Sequence, residues 1–309
     1  MSVRIVTDST ADLPHELVEE LGITIVPVYV SLNGQSYRDG IDIGPDEIYQ
    51  KMADGDFSVT TSQPSPSDFA NTYRHLMRET DEILTINLSS HLSGSYSSAV
   101  QGQEMVGGQD RIKVVDSSSA SMGAGLLAIA AARLAQAGAS LPHILAETKR
   151  AINHIHIWVV LDSLKYALRS GRLGKAKALL GSLLSVKPLI TLKNGEVQPA
   201  GMMRTRQKGL EKLIANFKSL AGVEEAGIIH STTPDEAQVI RGHLSNALGD
   251  GRLHISRLGP SLGVHTGPGT LALAVREKMP AEEKTDANEE RGVFDMPSFR
   301  FPSLKIMPL

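Results

Sequence analysis

Residues 83–99 read Ile-Leu-Thr-Ile-Asn-Leu-Ser-Ser-His-Leu-Ser-Gly-Ser-Tyr-Ser-Ser-Ala. The apolar, β-branched start predicts a strand over 83–88, and the serines after it predict a helix beginning near Ser95. Ser93 and Ser95 flank Gly94, whose missing side chain lets a ligand approach the backbone. The first amides of the helix have no internal acceptor, and together with the helix dipole they favour a carboxylate or phosphate. The competing interpretation is an ordinary strand-to-helix loop capped by serine.

The same sequence of strand, polar loop and helix recurs on both sides of this stretch. Residues 3–7 form a strand that ends in Asp8-Ser9-Thr10-Ala11-Asp12-Leu13, with Pro14 suited to a first helical turn. Residues 23–32 read as one strand, Asn33-Gly34 as a turn, and 35–38 as a returning arm. The loop Thr60-Thr61-Ser62-Gln63-Pro64-Ser65 is rich in hydroxyls and held extended by proline before a helix over 69–78. A strand over 111–116 leads through Ser117-Ser118-Ser119 into an alanine-rich helix over 122–136. This alternation predicts a parallel sheet covered by helices, with ligands beyond the carboxyl ends of the strands. The Asp8, Thr61, Ser93 and Asp116 loops are therefore expected to be neighbours.

Beyond a helix over 141–152 the pattern changes. Helices are predicted over 164–168 and 175–185, then a hairpin turning at Asn194-Gly195, a helix following Arg204-Thr205-Arg206, strands over 226–230 and 253–258, and a helix over 234–248. A glycine-rich loop over 259–269 precedes an expected helix over 270–278. The fold class is α/β in two domains: residues 1–150 as a mostly parallel three-layer α/β sheet, and residues 151–280 as an α+β domain, with the ligand site between them. Residues 281–309 read as a charged linker and an apolar tail that is either unstructured or a segment docking on this protein or a partner.

Thirty-one basic against 34 acidic residues leave a net charge of −3, which gives no electrostatic footprint for nucleic acid. The chain has no cysteine, so neither a disulfide nor a thiolate metal site can form. The N-terminus does not resemble a signal peptide, and the longest apolar stretch, 122–132, falls short of the ~20 residues that span a bilayer. A cytoplasmic protein without a transmembrane segment is the expectation. There is no Walker A sequence and no H-E-x-x-H, so neither a cofactor nor a metal is expected. Residues 259–263 match the nucleophile-elbow pattern G-x-S-x-G. The glycine-rich context and the lack of any histidine after His265 argue against a hydrolase built on Ser261. Two loose dinucleotide-binding matches, at 123–128 and 267–272, lack a convincing βαβ context.

Several of these stretches together resemble the DegV family of bacterial fatty-acid-binding proteins. They are Thr7-Asp8-Ser9-Thr10-Ala11-Asp12-Leu13, Thr61-Ser62-Gln63-Pro64-Ser65, Leu92-Ser93-Gly94-Ser95-Tyr96, Asp116-Ser117, Arg169-Ser170-Gly171-Arg172-Leu173, Arg204-Thr205-Arg206 and His265-Thr266-Gly267-Pro268-Gly269. The resemblance runs to about residue 279. It implies a long-chain fatty acid as ligand, its carboxylate held around Thr61, Ser62, Ser93, Gly94 and Ser95 with His265 close by. It also implies a partner, an ATP-dependent fatty acid kinase that converts the presented carboxylate to an acyl phosphate for phospholipid metabolism. In that scheme the chain binds lipid and is not itself the enzyme. Arg172, Arg204, Arg206 and His265 are then candidate contacts for the kinase or the phosphoryl group. The alternative function is an enzyme acting on a small anionic or acyl substrate through Ser93 and His265.

Overall fold

The computed structural model describes residues 3–54, 59–176, 186–249 and 251–279. In chain order these form β1 (Val3–Asp8), α1 (His15–Leu21), β2 (Thr24–Val26), β3 (Tyr29–Leu32), β4 (Gln35–Arg38), α2 (Pro45–Asp54), β5 (Val59–Ser62), α3 (Pro66–Leu76), β6 (Glu82–Asn87), α4 (Ser95–Met105), β7 (Ile112–Asp116), α5 (Met122–Gln136) and α6 (Leu141–Ile152). The chain continues through β8 (Ile155–Val160), α7 (Lys165–Ser170), β9 (Lys187–Lys193), β10 (Glu196–Met203), α8 (Arg206–Lys218), β11 (Val223–His230), α9 (Pro234–Leu244), β12 (Leu253–Arg257), α10 (Pro260–Thr266) and β13 (Leu271–Glu277). The expected segment 281–309 and most of the expected helix 175–185 lie outside the described residues.

β1 (Val-Arg-Ile-Val-Thr-Asp) is buried on both faces except at Arg4, as a central parallel strand requires. It pairs in parallel with β2 and β6, and β6 with β7, giving the order β2-β1-β6-β7. One face packs on α3 and α4 through Val6, Phe69, Tyr73, Ile83 and Ala99. On the other face Ile5, Leu84 and Val115 meet Leu126 and Leu127 of α5. The second sheet has the order β10-β9-β8-β13-β11-β12 and is antiparallel except for β11 with β12. Its face carrying Ile157, Val159, Ile190 and Ala272 joins the same core as α5, so one hydrophobic cluster runs between the two sheets. The chain up to Met279 packs as one compact unit.

Three expectations are corrected. Residues 23–32 are not one strand, because Pro27 removes a ladder donor; β2 joins the parallel sheet, while β3 pairs with β4 and β5 in a separate three-stranded sheet. The expected helix over 270–278 is β13, a strand buried on both faces between β8 and β11, where tertiary pairing overrides the helical propensity of its leucines and alanines. The supposed loop over 259–269 contains α10, with Pro260 at its first position and Gly259 as N-cap.

Candidate functional site

A cavity of about 380 Å³ opens between the two sheets. Its floor is the inner face of β8, β9 and β13, where Val159 stands opposite both Ile190 and Ala272 in the strand register. Alternation along β8 and β9 aims Ile157 and Val159, Ile190 and Leu192 at the same side. Leu88 and Leu92, Leu173, Leu258 and Leu262 complete an apolar wall.

Polar side chains gather at loops from three elements. β5 carries Thr61 and Ser62, with Gln63 after it; the loop between β6 and α4 carries Ser93 and Gly94; α10 carries His265. All of these line the cavity, as does Arg172 after α7. Gly94 lets the first two loops close on one another, since a Cβ there would lie 2.7 Å from Gln63 Nε2. Thr61 Oγ1 and His265 Nε2 are hydrogen-bonded at 2.8 Å. Ser93 Oγ accepts the Ser95 amide at 3.2 Å and lies 3.0 Å from Ser95 Oγ. Ser95 itself is fully buried and holds Ser93 from behind.

Burial, with the Arg172 charge adding to it, pushes the His265 imidazole down to about 4, so it is neutral near pH 7. Its Nδ1 is buried without a protein partner, which leaves one ring nitrogen for a ligand. The Thr61–His265 bond uses one of the pair's two protons, so either Thr61 Oγ1 or His265 Nδ1 is left to donate, and a neutral donor of this kind can orient a carboxylate without neutralising it. The alternative function, an enzyme acting through Ser93 and His265, finds no hydrogen bond between the two: the imidazole is bonded to Thr61 and the Ser93 hydroxyl to Ser95. Of the other arginines, Arg206 is held by Glu236 through Nε at 2.9 Å and Nη2 at 2.5 Å, and Arg204 is exposed; neither lines the cavity. Ser261 is buried, and its hydroxyl donates to Asp39. It does follow a strand and enter a helix, so context alone is a poor argument against a hydrolase; its committed hydroxyl is the better one.

Sequence reasoning missed Gln63 and the sheet floor. The signal for the floor was present as apolar, β-branched runs at 157–160 and 189–192, but such a run does not say which face meets a ligand.

Fold and site together define an α/β protein that encloses an apolar cavity with one hydrogen-bonding end. The chain belongs to the DegV family, whose sequence profile, described as one of uncharacterised proteins, matches residues 2–278. A DegV domain-containing protein of Caldanaerobacter subterraneus subsp. tengcongensis is 35% identical over 280 residues, covering 89% of this chain and 99% of the relative. Among solved structures, a fatty-acid-binding DegV family protein from Thermus thermophilus shares 38% identity at a TM-score of 0.84, covering 90% of this chain and all of the other. A stearic-acid-binding protein from Eubacterium ventriosum shares 27% identity at a TM-score of 0.81, with 89% and 98% covered. Among the described residues no helix is long and apolar enough to cross a membrane.

Proposed function

We propose that this chain binds a long-chain fatty acid, burying the acyl chain over the β8–β9–β13 floor and holding the carboxylate among Thr61, Ser62, Ser93, Gly94 and His265. The observation that carries this reading is the cavity, with an apolar floor from β8, β9 and β13 and a hydrogen-bonded Thr61–His265 pair, Ser62 and Ser93 in its lining. Fatty-acid binding by structures of the same family supports it. Burying a chain of roughly a dozen methylenes at about 0.8 kcal/mol each contributes about 10 kcal/mol before ordering costs, so the tail dominates affinity. A buried carboxylate without partners would cancel that gain, and the hydroxyl end prevents it.

The same reading makes the chain a cytoplasmic presenter of substrate, whose partner is an ATP-dependent fatty acid kinase that forms the acyl phosphate. Neutral donors leave a carboxylate oxygen available as nucleophile, where an arginine pair would hold it back. In this reading Arg172, which lines the cavity with His265, meets the incoming phosphoryl group, and exposed Arg204 meets the kinase surface.

Mass spectrometry of lipid extracted from the purified chain tests the ligand: long-chain fatty acid is expected, and its absence after incubation with palmitate would overturn the reading. Ser93→Ala and Thr61→Ala should each weaken palmitate binding roughly tenfold to a hundredfold, the worth of one hydrogen bond to a charged acceptor. With a purified bacterial fatty acid kinase and ATP, His265→Ala should retain lipid but lose acyl phosphate formation. Unchanged turnover would remove His265 from that step.

A further inference from the structure

Three hydroxyl-bearing residues on the cavity wall, Thr10, Ser121 and Ser261, turn their O–H groups to buried carboxylates. Thr10 Oγ1 donates to Asp8, Ser121 Oγ to Asp12 at 2.5 Å, and Ser261 Oγ to Asp39. The acids are 0%, 6% and 4% exposed, which makes each costly to keep ionised. Their remaining partners are hydroxyls and amides. Asp8 also accepts from Asn87 Nδ2 at 3.1 Å and the Leu88 amide at 3.2 Å, Asp12 from the Gly259 amide at 2.8 Å, and Asp39 from Ser9 Oγ at 2.9 Å.

The Asp12–Ser121 contact joins two non-glycine residues with positive φ, 49° and 52°. Ser121 is the N-cap of α5 but makes no side-chain cap bond, because its hydroxyl reaches Asp12 instead. Such strain persists only where the surroundings over-determine it. The motif over 7–13 supplies two of the three acids, and head-group binding does not account for it.

An O–H left free against methylenes would be an unsatisfied buried donor, a cost of about 1–3 kcal/mol. We propose that Asp8, Asp12 and Asp39 are positioning residues that hold the hydroxyls of Thr10, Ser121 and Ser261 out of the cavity. They leave this stretch of wall without an inward-pointing O–H and make it selective for an unsubstituted acyl chain. This rests on the fatty-acid reading above. Ser261 stands one helical turn before His265 on the same face of α10, which sets its position beside the head-group end.

The test compares palmitate with 3-hydroxypalmitate binding to the full chain at pH 9, where both Asp12 and Asp39 are ionised. The unaltered chain should prefer palmitate by about tenfold or more, the equivalent of one unsatisfied polar group. In Asp39→Ala the Ser261 hydroxyl loses its acceptor and its proton turns towards the ligand, so the preference should fall about tenfold. Asp39→Ala combined with Ser261→Ala should restore it. A merely structural Asp39 would weaken both ligands in proportion, leave the ratio unchanged and gain nothing from Ser261→Ala; that result would overturn the proposal. Asp12→Asn, whose carbonyl keeps the Gly259 amide and whose NH2 must then donate to Ser121 Oγ, repeats the comparison with and without Ser121→Ala at the second pair should Asp39→Ala not fold. Failure of the unaltered chain to bind either acid would instead overturn the fatty-acid reading, and this proposal with it.

Discussion

Asp12 is held in left-handed backbone at the end of the turn after β1, and its carboxyl is pushed up to about 8. Burial is the main cause; hydrogen bonds from Ser121 and Gly259 oppose it, and the nearby charges of Asp39 and Asp8 add to it. Asp39 is raised to about 6, again chiefly by burial. An acid whose folded-state pKa lies above its unfolded value binds more protons when folded, so stability falls as pH rises between the two values. For Asp12 that window runs from the ordinary 3.8 to about 8. The melting temperature should therefore decline from pH 5 to pH 8, and Asp12→Asn, which mimics the protonated acid and can still donate to Ser121, should flatten the decline. An unchanged slope in that variant, followed by calorimetry, would place the proton elsewhere. Thr61, Ser93 and His265 line one cavity; the two hydroxyl loops stood out by residue type at strand ends, whereas His265 was marked only by the family resemblance. The burial of Asp12 and Asp39 was not, because it depends on α10, more than two hundred residues further along the chain, folding over them.

At the scale of elements, α10 and β13 show where local pattern gave way. Leu271, Ala272, Leu273, Ala274 and Val275 are all buried, so β13 has no polar face to mark it as a strand. Its neighbours β8 and β11 decide the matter, and those contacts are distant in sequence. In the parallel sheet β1, β6 and β7 were legible because each ends in its own polar loop, whereas β2 was not, since it runs through Pro27-Val28 straight into β3. α10 docks against α2, and at the contact Gly263 admits the Tyr49 ring: a Cβ there would lie 2.8 Å from Tyr49 Cζ. Tyr49 cannot easily yield, being 4% exposed with its hydroxyl donating to the Leu258 carbonyl at 2.9 Å. Gly263→Ala should cost about 2–3 kcal/mol in urea unfolding, the usual cost of overpacking, and should weaken palmitate retention because His265 rides on the same helix. Wild-type stability in that variant would show that α10 is free to shift.

For the molecule up to Met279, the question is whether its two sheets unfold together. The boundary expected near residue 150 falls where the strands of one sheet give way to those of the other, yet α5 packs between them and a single core cluster includes residues of both. A buried ionic network reinforces the junction. Glu225 of β11 is fully buried and bonded to Arg133 of α5 at 2.7 Å, His254 of β12 at 2.8 Å and Arg276 of β13 at 3.3 Å. Burial opposes ionisation of Glu225, but the bonds from His254 and Arg133 outweigh it and hold the carboxyl below its ordinary range. A carboxyl lowered in this way contributes stability above its unfolded pKa and loses it as pH falls through the folded value, the opposite sense to Asp12. Removing one member of such a network strands the others, at about 3–5 kcal/mol. We expect urea unfolding at pH 7 to show one transition, with fluorescence of Trp158, the chain's only tryptophan, and far-UV circular dichroism coinciding. Glu225→Gln should move both signals together to lower urea, because the bond it breaks ties α5 to the six-stranded sheet. A shift of the Trp158 signal alone would show that the halves unfold separately, and the ligand would then sit at a joint free to open.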